Sequence, residues 1–438
     1  MPGALDKIKV LDLTTVIMGP YCTQILGDMG ADVIKVESHA GDNMRWVGPY
    51  KNPGMGHIHL HLNRNKRSIV LDLKQPKGLE ACLKLAAEAD VLVYNVRPQS
   101  MARLGLGYEA VKKINPKIIY VGAFGYAEKG PYAGRPAYDD LIQGIAGVPS
   151  LSQRQTGDVP RYSPVTIGDR SVGLHTVNAV LAALFHRERN MANGGSGEGQ
   201  AIEITMFEAM SQFVMGDHMA GKTFEPPLGD TAYARLIAPH RRPYATSDGF
   251  LCVLIYNDKH WMTFFDAIGR ADLKTNPKFC EHSVRAANIA EVYEFVAETI
   301  AAKPSAYWRE LLEKADIPFA TMHTIDSLLE DEHMQAIGFF PEFDHPTEGR
   351  IRATAPVGEW SATPPSIRLM PARLGEHSRE VLAEVGYSVD EIEAMVADKV
   401  TLASDKSVSA DAFGLWKKRE PHADGLLQQE KMRNEWNK

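Results

Sequence analysis

The sequence predicts an α/β protein with a large domain built on a parallel sheet and a smaller α+β domain in the middle of the chain. Short apolar strands alternate with helices along the first part of the chain, a pattern typical of βαβ units. The length of 438 residues fits two to three domains at roughly 150 residues per domain. In chain order we predict strands at 9–13, 31–37, 68–73, 89–95, 117–125 and 201–205, and helices at 20–29, 76–88, 108–114, 172–189 and 207–222.

The middle of the chain has a different pattern. Residues 226–243 are rich in Pro, Gly and Arg and are predicted to be a linker. A strand at 250–255 and helices at 260–269, 289–303 and 305–315 then indicate the smaller α+β domain. From about Pro341 short strands and turns return, followed by amphipathic stretches at 378–385 and 390–397. Residues 401–438 form a polar tail of mixed charge.

Composition excludes several classes of protein. The net charge of -7 offers no basic surface for nucleic acid. No apolar run approaches the ~18 residues of a membrane helix, and residues 1–6 show neither a basic nor an apolar signal region. The four cysteines, Cys22, Cys82, Cys252 and Cys280, are far apart, which is typical of a reducing compartment. We therefore expect a cytoplasmic protein that binds neither membranes nor nucleic acid.

His57, His59 and His61 alternate in the sequence His-Ile-His-Leu-His-Leu. On a strand all three would lie on one face, where imidazoles can bind a metal. The alternative is a polar strand face near a cleft or in solvent. Neighbouring residues on one face of a strand converge poorly on a single ion, so we predict no metal site.

The segment Asn63–Arg67 contains three cations in a short turn. One interpretation is a solvated loop. The other is a site for phosphate or carboxylate at the edge of the sheet.

Asp169 follows Gly168 just before the predicted long helix. Asp is a favoured N-cap residue, and its charge suits the positive end of a helix. A carboxylate in this position can also act as a nucleophile, with the glycine admitting a substrate closely. The two roles are compatible. Tyr138, Asp139 and Asp140 lie in a preceding loop, where paired acids are either solvated or part of a proton relay.

The ordered motifs resemble those of the class III CoA-transferases, the group of formyl-CoA transferase and crotonobetainyl-CoA:carnitine CoA-transferase, which also includes α-methylacyl-CoA racemases. Each motif alone is weak, and their order and spacing make the resemblance specific. The matching segments are 10–14, 19–23, 30–37, 63–68, 71–74, 90–98, 125–126, 130–132, 136–139, 168–169 and 374–382.

The resemblance implies a large Rossmann-like domain, a smaller domain and two interlocked subunits. It divides the chain into an N-terminal part of the CoA-binding domain at 1–205, a linker helix and loop at 206–243, a small α+β domain at 244–330, a return linker and C-terminal part of the large domain at 331–400, and the tail at 401–438.

The resemblance also implies the chemistry. Asp169 would attack an acyl-CoA thioester to form an aspartyl-acyl anhydride, then an aspartyl-CoA thioester, and CoA would pass to a free carboxylic acid. CoA is then a substrate, and no cofactor is expected. A helix N-terminus would help to keep Asp169 ionised. The residues that match CoA-binding positions are Val16, Lys74, Asn95, Arg97, Arg103, Tyr138 and Asp139.

Two alternatives remain open. A racemase of this superfamily places a general-base histidine in a Gly-His-Asp motif, whereas this chain has Ala137-Tyr138-Asp139. Tyrosine, with a pKa near 10, is a poor base at neutral pH, which favours the transferase. A non-catalytic CoA-binding protein is disfavoured by the intact Asp169 beside its glycine. The acyl-CoA donor and the acceptor acid are not readable from the sequence.

Overall fold

The computed structural model describes residues 2–403, so almost all of the predicted tail at 401–438 lies outside the described residues. The chain divides into two compact units. Within the described residues, unit one contains residues 2–142, 165–210 and 338–403. Unit two contains Gln143–Pro164 and Ser211–Ile337.

The strands and helices are numbered in chain order. The strands are β1 Lys9–Leu13, β2 Asp32–Glu37, β3 Lys66–Val70, β4 Val91–Tyr94, β5 Ile119–Phe124, β6 Gln200–Thr205, β7 Tyr244–Ala245, β8 Phe250–Val253, β9 Phe319–Thr321, β10 Glu342–His345 and β11 Gly349–Arg352. The helices are α1 Met18–Asp28, α2 His57–Leu62, α3 Pro76–Glu88, α4 Pro98–Arg103, α5 Tyr108–Ile114, α6 Asp139–Ile145, α7 Val148–Thr156, α8 Ile167–Ala192, α9 Met206–His218, α10 Asp258–Ala267, α11 His282–Ala287, α12 Ile289–Ala301, α13 Ser305–Lys314, α14 Ile325–Leu329, α15 Glu332–Ala336, α16 Ser378–Glu384 and α17 Val389–Ala397.

Unit one is built on the predicted parallel sheet. Its six strands lie in the order β3-β2-β1-β4-β5-β6, and all five pairings are parallel. The chain first proceeds outward from β1 through β2 to β3 and then returns to place β4 on the other side of β1. The connections after β1 and β4 therefore diverge, which opens a crevice at the carboxyl ends of these two strands.

Alternate residues of each strand enter two separate cores. Leu11 and Leu92 pack on one face with Val381 and Ile392, which belong to the returning C-terminal segment. Val10, Val91 and Val121 pack on the other face with apolar residues of α1 and α8. Both faces are covered, as expected for a parallel sheet. Helix α3 coincides with its predicted bounds.

Unit two has an antiparallel sheet in the order β7-β8-β9. Its core contains several aromatic side chains, among them Trp261, Phe264, Phe265 and Trp308. The Trp308 indole donates a hydrogen bond of 2.7 Å to the carbonyl of Ile300, which satisfies its polar atom inside the core.

The structure corrects the strand predicted for the histidine run, because His57–Leu62 forms helix α2. Gly56 allows this turn: a Cβ there would lie 2.5 Å from the carbonyl oxygens of Met44 and Val47. The helix directs His59 into the interior, where its Nε2 lies 3.3 Å from the Ala372 carbonyl. The three imidazoles therefore do not share a face.

Helix α8 begins at Ile167, before its predicted start at Val172. Asp169 consequently lies inside the first turn, and Thr166 occupies the N-cap position. The N-cap interpretation of Asp169 is therefore wrong. Among the described residues, no helix, α8 included, is long and apolar enough to span a membrane.

Candidate active site

A cleft opens in unit one where the strands of the parallel sheet end. Residues that follow β1, β2, β4, β5 and β6 all contribute to its wall. This is the position that ligands occupy in open α/β sheets, at the point where the strand order reverses. The wall includes apolar side chains, among them Leu13, Val36, Met101, Phe124 and Met206.

The cleft brings together six of the eight residues that were predicted to act in catalysis or CoA binding. These six are Val16, Asn95, Arg97, Tyr138, Asp139 and Asp169. Lys74 and Arg103 do not line it. Both of these side chains are exposed, and Arg103 donates a hydrogen bond of 3.2 Å to the Ser100 hydroxyl. Binding of CoA by any of these residues stays a prediction.

The loop after β1 is held in a strained conformation. Val16 has a φ of 71°, which is unfavourable for a β-branched residue. Its backbone N–H donates to Asp42 Oδ1 at 3.0 Å. The neighbouring Thr15 exchanges two hydrogen bonds with the Asn95 side chain, of 2.9 and 2.7 Å. Asn95 thus joins the ends of β1 and β4 and positions the loop that presents Val16.

Beneath this loop lies a buried network of paired charges. Lys66 Nζ lies 3.0 Å from Asp12 Oδ2, and Lys35 Nζ lies 3.1 Å from Asp42 Oδ2. Burial disfavours the ionised form of Asp12, but the two lysines and the hydroxyls of Thr14 and Thr23 lower its pKa to about 2. Burial lowers the pKa of Lys66 to about 8 despite its partner Asp12. The network fixes the carboxylate of Asp42, which in turn holds Val16.

Sequence reasoning missed this network as a support for the site. A usable signal was present, since Lys35 and Glu37 lie two residues apart in a strand whose other side chains are largely apolar. Such polar residues lie on one face of a strand. Glu37 accepts hydrogen bonds from Arg45, including one of 2.6 Å from Nη2.

Asp169 and Asp139 face each other at the start of α8. Asp139 Oδ1 accepts a hydrogen bond of 2.9 Å from the backbone N–H of Asp169. Gly168 permits this approach, because a Cβ there would lie 2.9 Å from the same carboxylate oxygen. Asp139 is buried and takes the anion position at the helix N-terminus. Asp169 projects into the cleft wall beside it.

The pKa of the Asp169 carboxyl is raised to about 7. Burial is the main cause, and the negative charge of Asp139 adds to it, with Asp140 contributing less. Arg170 opposes the rise. Burial and the charge of Asp139 thus oppose the ionisation of Asp169 that a helix N-terminus favours. A carboxyl with a pKa near neutrality in a cleft is typical of a functional group.

The basic segment Asn63–Arg67 is neither a solvated loop nor an anion site. Arg64 is buried and pairs with Asp28 at 2.7 Å. Lys66 pairs with Asp12, and Arg67 pairs with Asp32 at 2.5 Å and with Glu380 and Glu384. The three cations hold elements of unit one together.

The histidines of α2 do not form a metal cluster. Burial lowers the pKa of His59 well below its usual range, and its Nδ1 lies 3.0 Å from the Asn63 amide nitrogen. Within residues 2–403 there is no group of three His, Cys, Asp or Glu side chains arranged to hold a metal ion.

Arg135 is a further cation in the cleft wall. Its guanidinium carbon lies 4.3 Å from the centroid of the Tyr132 ring. Arg97 and Arg135 together give the cleft two guanidinium groups, which suit the phosphates of a nucleotide.

Comparisons with known proteins show which family the chain belongs to. The sequence profile of CoA-transferase family III matches residues 5–378. Succinyl-CoA:glutarate CoA-transferase of Homo sapiens is 30% identical over 87% of this chain and 86% of its own. The succinyl-CoA--L-malate CoA-transferase beta subunit of Chloroflexus aurantiacus is 32% identical over 88% of this chain and 95% of its own.

The fold is also similar to that of a solved structure of this family. The crystal structure of a CaiB/BaiF family protein from Brucella suis has a TM-score of 0.73 and 29% identity, covering 88% of this chain and 100% of that chain. The chain belongs to CoA-transferase family III, and it is a class III CoA-transferase.

Proposed function

We propose that this enzyme moves CoA from an acyl-CoA thioester to a free carboxylic acid through covalent intermediates on Asp169. The observation that carries the proposal is the position of Asp169, whose carboxyl lines the cleft with its pKa raised to about 7. Such a carboxyl is ionised often enough at neutral pH to attack, and it is more basic than an exposed aspartate.

Each step exchanges one acyl bond for another. Asp169 attacks the thioester carbonyl, the C–S bond breaks, and the CoA thiolate leaves an aspartyl-acyl anhydride. The thiolate attacks the aspartyl carbonyl, which releases the first acid and leaves an aspartyl-CoA thioester. The acceptor carboxylate attacks this thioester, forming a second anhydride and freeing the thiolate. Attack of the thiolate on the new acyl carbonyl forms the product acyl-CoA and restores Asp169.

The cleft provides conditions that this sequence of steps requires. Both intermediates hydrolyse readily, so water must be excluded. The apolar wall formed by Leu13, Val36, Phe124 and Met206 supports such exclusion. Arg97 and Arg135 are the proposed partners of the CoA phosphates, while Val16 and Asn95 shape the loop that the thioester passes.

We also propose that the enzyme is an interlocked homodimer. In unit one, α8 exposes Leu174, Phe185 and Met191, and Phe185 is 63% exposed. In unit two, α9 exposes Phe213 and Met215. Apolar side chains that recur along a helix surface are typical of an interface. Light scattering of the protein should give twice the chain mass of 48.4 kDa.

We also propose that the protein is located in the cytoplasm.

The transfer is tested with succinyl-CoA and a panel of small carboxylic acids, with new acyl-CoA products identified by mass spectrometry. Asp169→Asn should abolish transfer but still bind CoA, because the carboxylate acts only in the chemical steps. Asp344→Asn is the matched control, since Asp344 is exposed and does not line the cleft. Full transfer by the Asp169→Asn variant would overturn the proposal.

The racemase alternative is not favoured by the relatives, which are named as CoA-transferases. It has a separate test. A racemase exchanges the α-proton of an acyl-CoA with deuterated buffer in the absence of any acceptor acid, whereas the proposed transferase does not.

A further inference from the structure

A cavity of about 350 Å³ in unit two has an excess of positive charge. All of its lining residues belong to unit two. Three of them, Arg235, Arg241 and Arg242, lie between α9 and β7, and no Asp or Glu lines the cavity. Among residues 2–403, none of the three arginines forms an ion pair. Cations that share a cavity without an acid attract an anion into it.

Arg235 is held in place by the aromatic side chains around it. Its Nε donates a hydrogen bond of 2.9 Å to the hydroxyl of Tyr293, which is buried. Its guanidinium carbon lies 5.8 Å from the centroid of the Tyr256 ring. The side chain is half-buried, and in the described part of the chain no carboxylate accompanies it. A cation that is withdrawn from water is normally paired with an acid, so we infer that the partner of Arg235 is a ligand.

The number of arginines favours a phosphate monoester over a carboxylate. A carboxylate has one charge and two oxygens, which a single guanidinium can bind bidentately. A phosphate monoester has a charge of about −1.5 to −2 at pH 7 and three strong acceptor oxygens. Arg235 has its Nε bonded to Tyr293 and can offer only its terminal nitrogens. Further donors are then needed to surround a phosphate, and Arg241 and Arg242 line the same cavity.

The rest of the lining indicates what can carry the phosphate. Val253, Leu254 and Ile255 form an apolar wall, and Val253 and Ile255 also pack with the core of unit two. This wall suits a small apolar or aromatic group. Pockets for drug-sized ligands begin at about 300 Å³, so a space of this size holds a small phosphate monoester and not a whole CoA molecule.

We propose that this cavity is a binding site for a small, free phosphate monoester, held by Arg235, Arg241 and Arg242. Because the arginines and the apolar wall all belong to unit two, the site does not depend on the transfer chemistry proposed for Asp169. Its test therefore needs no measurement of transfer.

The test is a calorimetric titration of the full-length protein in the absence of CoA and of acceptor acids. The two probes are phenyl phosphate and benzoate, which share an aromatic ring and differ in the anionic group. The wild type should bind phenyl phosphate more tightly than benzoate. Arg235→Gln should lower the affinity for phenyl phosphate by about tenfold or more, as expected for lost hydrogen bonds between charged groups.

Two further variants separate binding from folding. Arg241→Gln/Arg242→Gln should weaken the binding of phenyl phosphate by about tenfold or more while it leaves the bond between Arg235 and Tyr293 in place. The matched control is Arg270→Gln, an exposed arginine of unit two that pairs with Asp272, and its affinity should equal that of the wild type.

Three results would overturn the proposal. The first is that the wild type does not bind phenyl phosphate, or binds benzoate equally well. The second is that phenyl phosphate binds the double variant Arg241→Gln/Arg242→Gln as tightly as the wild type. The third comes from titrations with CoA and dephospho-CoA: a loss of affinity in the double variant for CoA alone would assign the cavity to the 3′-phosphate of CoA and not to a free monoester.

Discussion

The raised pKa of Asp169 predicts a specific dependence of the transfer rate on pH. The attacking form is the carboxylate, so kcat/KM should follow its ionised fraction. With a pKa of about 7, the ionised fraction rises from about 9% at pH 6 to about 91% at pH 8, which is about a tenfold gain in rate. A solvated aspartate, with a pKa of about 3.9, would give no gain over this range.

The change Asp139→Asn tests the physical cause. Asn keeps an oxygen that can accept the hydrogen bond from the Asp169 N–H, which is 2.9 Å long in the native enzyme, but it removes the negative charge that helps to raise the pKa of Asp169. The acid limb of the profile should therefore move to lower pH. Asp140→Asn should move it in the same direction by less, because Asp140 contributes less.

The assay is the initial rate of CoA transfer between pH 5.5 and 8.5 with saturating acceptor acid. The wild type, Asp139→Asn and Asp140→Asn are compared under identical conditions, so ionisation of the substrates affects all three profiles equally. A rate that is flat from pH 6 to pH 8 in the wild type, or a profile that does not move in the Asp139→Asn variant, would refute this account of Asp169.

Three further predictions concern stability. Lys66→Met should destabilise the fold by about 3–5 kcal/mol in urea unfolding, because it leaves Asp12 buried without its partner; adding Asp12→Asn should restore part of the loss, and no restoration would contradict the pairing. Asp169→Asn should raise the Tm at pH 8 but not at pH 4. The pKa of Asp169 is higher in the folded state than in the unfolded chain, so the wild type loses stability as the pH rises towards 7. Because Asn cannot ionise, the variant does not lose this stability. Val16→Gly should stabilise the fold by about 1 kcal/mol, because relief of about 1–3 kcal/mol of backbone strain outweighs the flexibility of glycine. The affinity for CoA should fall. A variant less stable than the wild type would contradict the claim that Val16 is strained.

The sheet of unit one was largely predictable, because alternation of short apolar strands with helices is a local signal. Its strands carry runs such as Val91–Tyr94 that are buried along their length, and burial on both faces is what parallel sheets require. The position of the cleft then follows from the strand order, which places the residues after β1 and β4 next to each other.

The environments of the charged residues were not predictable, because their partners are distant in the chain. Arg64 is buried only because Asp28 and the Thr354 carbonyl meet it in the fold. The histidine run forms a helix and not a strand partly because His59 reaches Ala372. A six-residue alternating pattern carries too little information to decide between the two.

The most direct test of the central claim is to trap the carbonyl of Asp169 while it is activated as an anhydride or as a CoA thioester. The wild-type enzyme is incubated with succinyl-CoA and hydroxylamine and then digested for peptide mass spectrometry. Conversion of Asp169 to its hydroxamate, confined to the peptide that contains Ile167–Arg170, is the predicted result. Modification of another carboxylate such as Asp139 or Asp140, or none while transfer proceeds, would contradict the assignment.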